Sequence, residues 1–112
     1  MGEAYLIAAE ASVQLDRLSE GLYYLNAIRS RAGLTPLAGG DKNSLLSAVE
    51  QERRIELFSE QGHRFFDLKR TGRATEVLGL LKTNWEPTDE LLPIPESELL
   101  LNPNLSPQND GY

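Results

Sequence analysis

Leu18-Ser19-Glu20-Gly21-Leu22-Tyr23-Tyr24-Leu25-Asn26-Ala27-Ile28-Arg29-Ser30-Arg31-Ala32-Gly33 is the stretch on which the fold class turns. Leu18, Leu22, Leu25, Ile28 and Ala32 recur at steps of 4, 3, 3 and 4, a single apolar stripe along a helix. Gly33 stands where a left-handed C-cap belongs, and Pro36 prevents the helix from continuing. Upstream, residues 3–15 read as a first helix, with Leu6 or Ile7, Ala8, Ala11 and Leu15 turned toward that stripe. Glu10 and Gln14 fall on its other side. Asp16-Arg17 is so short a connection that the two helices must pack antiparallel, as a hairpin.

Beyond Pro36 the helical texture resumes after a loop with Gly39-Gly40, and Asn43 is the expected N-cap of a third helix. Leu45, Leu46, Val49, Arg53 and Leu57 mark one face of it, and it should run to about Glu60, before Gly62. A shorter helical piece spans about His63–Arg70, and residues 73–82 give a weaker one with Val77, Leu78 and Leu81 as apolar positions. Leu91-Leu92-Pro93-Ile94-Pro95 is extended, since each residue before a proline is pushed away from the α region. No stretch shows the period of 2 that a strand needs. The expected fold is all-α, a single unit over 1–112. It divides into a helical hairpin at 3–33, a helical segment at 43–82 and an irregular Pro-rich acidic tail at 83–112.

A chain of 112 residues can bury a real core within one domain or a piece of one. With no Cys there is no disulfide framework, no Cys-ligated metal and no thiol nucleophile. The longest apolar run, Ala4–Ala9, is far too short to cross a bilayer. All 11 Lys and Arg lie in residues 1–82 beside 11 of the 17 Asp and Glu, so the net charge of −6 resides in the last thirty residues. Neither part offers the basic face that a phosphate backbone or an anionic membrane requires, so nucleic acid is not an expected partner.

No constellation for catalysis stands out. His63 is the only histidine, without a Cys or a second His for zinc, and no G-x-S-x-G or phosphate-binding glycine motif occurs. No catalytic residue, metal ligand or cofactor site is assigned. Glu50-Gln51-Glu52-Arg53-Arg54-Ile55-Glu56-Leu57-Phe58 is more informative, because it packs five charges into a helix while Arg53 lies on the apolar line through Val49 and Leu57. A buried guanidinium must find carboxylate or carbonyl partners. The expectation is a structural ion network of Glu52, Arg53, Arg54, Glu56, Arg64 and Asp67, joining the third and fourth helices. Phe65 and Phe66 read as packing residues, which leaves Trp85, in a polar loop with Glu86 and Asp89, as the candidate ligand-binding aromatic.

The hairpin from Tyr5 to Pro36 is similar to one tetratricopeptide repeat, with Leu15, Leu18, Gly21, Leu22, Ala27, Ile28 and Pro36 near its packing positions. Three segments together resemble the SusD/RagB family. They are Tyr5–Ala11 with Leu25–Leu34; Glu52–Phe58 with Gly62–Gly72; and Leu92-Pro93-Ile94-Pro95 with Asn102–Leu105 and the terminal Gln108–Tyr112. Two positions depart from the family's pattern: Phe65 stands where Trp is usual, and Asp110 where Pro is frequent.

The resemblance covers the C-terminal part of that family. It implies a TPR-like α/α superhelical fold and a non-catalytic glycan- or nutrient-binding lipoprotein on the outer face of the outer membrane. Its partners would be oligosaccharide and a SusC-like TonB-dependent transporter. The signal and lipid anchor would belong to an N-terminal part outside this chain, as would most glycan-contacting aromatics, so no ligand residue is carried over. Apolar surface bared by the missing part would favour self-association of the chain. The alternative is a TPR-like helical adaptor that binds proteins. A signal peptide with a lipobox upstream in the gene would favour the first reading.

Overall fold

The stripe beginning at Leu18 forms a helix in the computed structural model, which describes residues 1–112. The elements are α1 (Gly2–Gln14), α2 (Leu18–Arg31), α3 (Lys42–Glu56), α4 (His63–Arg70), α5 (Ala74–Leu81) and α6 (Glu96–Leu101), with 3-10 turns at Pro87–Glu90 and Pro103–Leu105. There are no strands. The chain forms two compact units, residues 1–64 and 65–112, whose boundary falls inside α4 and divides the expected 43–82 segment.

In the first unit α1, α2 and α3 bury Leu6, Ala9, Leu25, Ile28 and Val49 together, with Tyr24, Leu37 and Ala48 packed against them. The α1–α2 pair is the expected antiparallel hairpin, and Gly21 explains its closeness. A Cβ there would collide with the Val13 side chain and stand 3.0 Å from the Ala9 carbonyl oxygen. That fit also corrects the expected face of α1. Leu6, Ala9, Ser12 and Val13 are buried, whereas Ile7, Ala11 and Leu15 are exposed. Val13 enters the space that Gly21 leaves, which turns the Ile7–Leu15 row outward.

Helix ends follow a common device. After α1, α2 and α4 the chain passes through a left-handed residue, Asp16 (φ 61°), Gly33 (φ 74°) and Gly72 (φ 69°). In each case the next N–H reaches back around the turn: Arg17 to the Ser12 carbonyl at 2.9 Å, Leu34 to Arg29 at 2.8 Å, Arg73 to Leu68 at 2.8 Å. The N-cap of α3 is Asp41, not the expected Asn43. Its carboxylate accepts from the Ser44 N–H at 2.8 Å, which starts the helix earlier. The hydroxyl and backbone N–H of Ser44 hold the Asp41 carboxyl below the ordinary carboxylate range. α3 also ends before the expected Glu60, because Ser59 and Gln61 adopt positive φ and cannot continue a helix.

The second unit is built differently. Glu90 accepts from the Thr75 hydroxyl at 2.8 Å and its N–H at 3.3 Å, so a carboxylate sits at the start of α5, where the helix dipole favours it. Gln108 pairs with both backbone groups of Ile94, at 2.7 and 2.8 Å, and the Asn109 amide donates to the Leu92 carbonyl at 2.7 Å. The Pro-rich stretch cannot use its own proline nitrogens as donors, so two amide side chains from the tail fix it.

Candidate functional site

The candidate charged residues lie mainly along α2 and α3. Arg29 spreads its guanidinium in a fork: Nε and Nη2 donate to the Thr35 carbonyl at 3.1 and 2.9 Å, and Nη1 donates to the buried Glu52. One planar cation thus joins α2, α3 and the intervening loop, which a lysine could not do. Asn26 completes the tie by pairing with both the N–H and the carbonyl of Leu37, at 2.8 and 3.0 Å. Arg31 pairs with Glu56, whose carboxylate also lies where a side chain at Gly2 would stand. That carboxylate is at the first turn of α1, beside its positive dipole end. At the opposite end of α1, Lys42 donates to the Gln14 carbonyl at 2.8 Å and pairs with Asp16 at 3.0 Å.

The six expected network residues therefore fall into several groupings. Glu52 and Glu56 of α3 meet Arg29 and Arg31 of α2, neither of which spacing along α3 brings into view. Arg64 of α4 meets Glu50 of α3 at 2.8 Å, and Asp67 pairs with Arg70 within α4 at 2.9 Å. Arg53 is buried as its place on the apolar line requires, while Arg54 is exposed. Arg29 and Arg31 were the residues that the sequence argument missed. Their signal was present: two cations in the last turn of one helix, facing two acids, Glu52 and Glu56, on the next one.

Trp85 belongs to a ladder in the second unit. Its ring meets Phe65 edge-on with centroids 6.4 Å apart, and Lys82 Nζ lies 5.8 Å from its centroid. Its Nε1 donates to the Thr75 hydroxyl at 3.4 Å, and Lys69 Nζ stands 5.4 Å from the Phe65 ring centroid. These contacts hold the indole against its own unit. No group of three or more His, Cys, Asp or Glu side chains is placed to hold a metal ion, and no helix is long and apolar enough to cross a membrane.

A sequence profile of the SusD family matches residues 1–112. The chain is 38% identical to SusD-like protein P2 of Formosa agariphila, over 98% of this chain and 24% of that protein. It superposes on a solved SusD superfamily protein of Bacteroides vulgatus with a TM-score of 0.85 at 30% identity, covering 99% of this chain and 26% of that one. A second, from Parabacteroides distasonis, gives 0.80 at 33% identity, with coverages of 99% and 26%. The chain thus spans about a quarter of the length of the relatives it matches. The shared fold is the all-helical, TPR-like one, and the family consists of carbohydrate-binding proteins that are not enzymes. The chain belongs to the SusD family.

Proposed function

We propose that this chain is the C-terminal scaffold part of a cell-surface glycan- or nutrient-binding lipoprotein in a SusC/SusD-type uptake system of the outer membrane. The observation that carries the proposal is the family match over the whole chain together with the 0.85 superposition on a solved member. The full-length protein captures oligosaccharide and passes it to a SusC-like TonB-dependent transporter, and no bond is made or broken in the process. Within that protein, residues 1–112 contribute shape and stability. Glu52, Arg53, Glu56 and Arg64 act as structural ion partners, and Trp85 acts in packing.

Support comes from the chemistry of the aromatics. A sugar site needs aromatic faces and converging polar groups in a concave, largely preformed pocket. Here Tyr5 and Tyr23 each meet Tyr24 edge-to-face, and Phe65 and Trp85 do the same in the second unit. Calorimetric titration with starch, inulin, xylan and mucin-type oligosaccharides tests the proposal. The full-length protein should bind one class saturably, and residues 1–112 alone should bind none tightly. Tight binding by residues 1–112 that Trp85→Ala abolishes would contradict the scaffold assignment. Hydrolysis of any of these glycans by the full-length protein would contradict the transport reading.

A further inference from the structure

Asp110 is one of the two positions at which the chain departs from its family's pattern, and it stands directly before a glycine. Such a pair is open to attack by the glycine nitrogen on the preceding side-chain carboxyl, because glycine has no Cβ to obstruct the approach. Both residues are exposed. The Asp110 carboxylate accepts no hydrogen bond from the chain, and the Gly111 N–H donates none. The turn that carries them is closed by one bond, from the Tyr112 N–H to the Asn109 carbonyl at 3.3 Å, with Gly111 at φ 96°.

We infer that Asp110–Gly111 is a site of spontaneous backbone isomerisation, at which the main chain is rerouted through the Asp110 side chain. When the turn opens, the Gly111 nitrogen attacks Cγ of Asp110. An N–Cγ bond forms and a Cγ–O bond breaks; the oxygen leaves as water, with the amide proton and one proton from solvent. Water then adds to either carbonyl of the cyclic imide. Ring opening at Cγ restores aspartate. Opening at the α-carbonyl leaves isoaspartate, with one more carbon in the main chain and the α-carboxylate as a side group. Water is the only co-reactant, and the product has the composition of the starting chain.

The other four aspartates are held back. The Arg17 N–H that follows Asp16 is bound to the Ser12 carbonyl at 2.9 Å, and Asp41 accepts from the Ser44 N–H at 2.8 Å. Asp67 is buried and paired with Arg70, and Asp89 accepts from the Glu86 N–H at 2.8 Å. The proline frequent in the family at position 110 has no carboxyl to attack, so the site belongs to this chain. Its consequence is local. Gly111 lies so close to Thr88 that a Cβ on it would stand 2.7 Å from the Thr88 hydroxyl oxygen. An added main-chain carbon displaces Gly111 from Thr88, while Gln108 and Asn109, which precede the site, keep their bonds to Ile94 and Leu92. The chemistry is independent of glycan binding.

The test keeps the intact chain in warm neutral buffer made with water enriched in heavy oxygen. Digestion in ordinary water and electron-based fragmentation in a mass spectrometer then locate the products. The peptide holding Asp110 should resolve into isoaspartyl and aspartyl species, both carrying heavy oxygen at that residue. Isoaspartate at 110 should accumulate at least about tenfold faster than at any other aspartate, since each of those must first give up a hydrogen bond. Asp110→Pro should lack the product, and so should Asp110→Glu, whose longer side chain must close a larger ring. In the isoaspartyl fraction the Thr88 methyl resonance should move while that of the Ile94 amide stays. Absence of isoaspartate at 110, or its even spread over the five aspartates, would overturn the site. An isoaspartyl peptide without heavy oxygen would overturn the imide route, and an unmoved Thr88 resonance would overturn the displacement.

Discussion

In residues 1–64 eight apolar side chains are buried, namely Leu6, Ala9, Val13, Leu25, Ile28, Leu45, Val49 and Leu57; in residues 65–112 the buried apolar side chains are Leu68 and Ala74. The second unit meanwhile leaves Leu80, Leu81, Leu92, Leu100 and Leu101 more than 70% exposed. Its order comes from polar reach: Glu90 on the start of α5, Gln108 and Asn109 on Leu92–Ile94, and the edge-on contact of Phe65 with Trp85. Burial of apolar area is additive and cooperative, whereas a neutral hydrogen bond exchanged with water contributes only about 0.5–1.5 kcal/mol net. The first unit should therefore hold its own fold, and the second should open locally at lower cost.

Mutations can break that comparison, and the largest effects belong to the first unit. Glu52→Ala leaves the Arg29 fork without its carboxylate, and Arg53→Ala empties a buried position on α3; each should lower stability by about 3–5 kcal/mol. Unfolding in urea, followed by far-ultraviolet circular dichroism, would register this as a shifted midpoint, and an unchanged midpoint would remove the ion pairs from the account. Next comes Leu25→Ala, which opens a cavity among Leu6, Ala9 and Val49 and should cost about 2–5 kcal/mol by the same assay.

How much of this was legible beforehand follows from what spacing can and cannot encode. The stripe Leu18–Ile28 and the stop at Gly33 are local, so they specify α2 and the left-handed residue that ends it. α1 is a different case. Its small and apolar residues satisfy a helical period on two sides, and only the space above Gly21, contributed by another helix, selects Leu6–Ala9–Val13 for the core. The ion partners divide in the same way. Asp67 and Arg70 are three residues apart and meet within one helix, but Glu52 finds Arg29, 23 residues away, through tertiary packing alone. The tail reads as turn-rich in sequence, because nothing in Gln108-Asn109 announces that it will bind the backbone of Leu92–Ile94.

Smaller effects sharpen the contrast from the other side. Gln108→Ala removes two bonds to Ile94 and should cost about 1 kcal/mol or less globally while freeing the 92–94 backbone. Nuclear magnetic resonance of the Ile94 amide should show the release even where the global midpoint barely moves. Smallest is Asp41→Asn, which keeps a capping side chain and deletes its charge. The folded Asp41 carboxyl titrates below its ordinary value of 3.8, so its ionised form stabilises the fold above that pH, and the contribution is lost as pH falls through the depressed folded value. The variant should be slightly less stable than the parent at neutral pH, and the gap should close in acid. A gap that widens in acid would reverse the sign.

Hydrogen exchange of the intact chain, read residue by residue, bears most directly on the claim that residues 1–64 carry the stability of the fold. Amides in the middle of α2 and α3 should exchange only through global unfolding, so their opening free energies should match the value from urea. Those of α5 and α6 should exchange through local opening, many times faster. Protection as strong in α5 and α6 as in α2 and α3 would contradict the account, because the second unit would then owe its order to more than polar clamps.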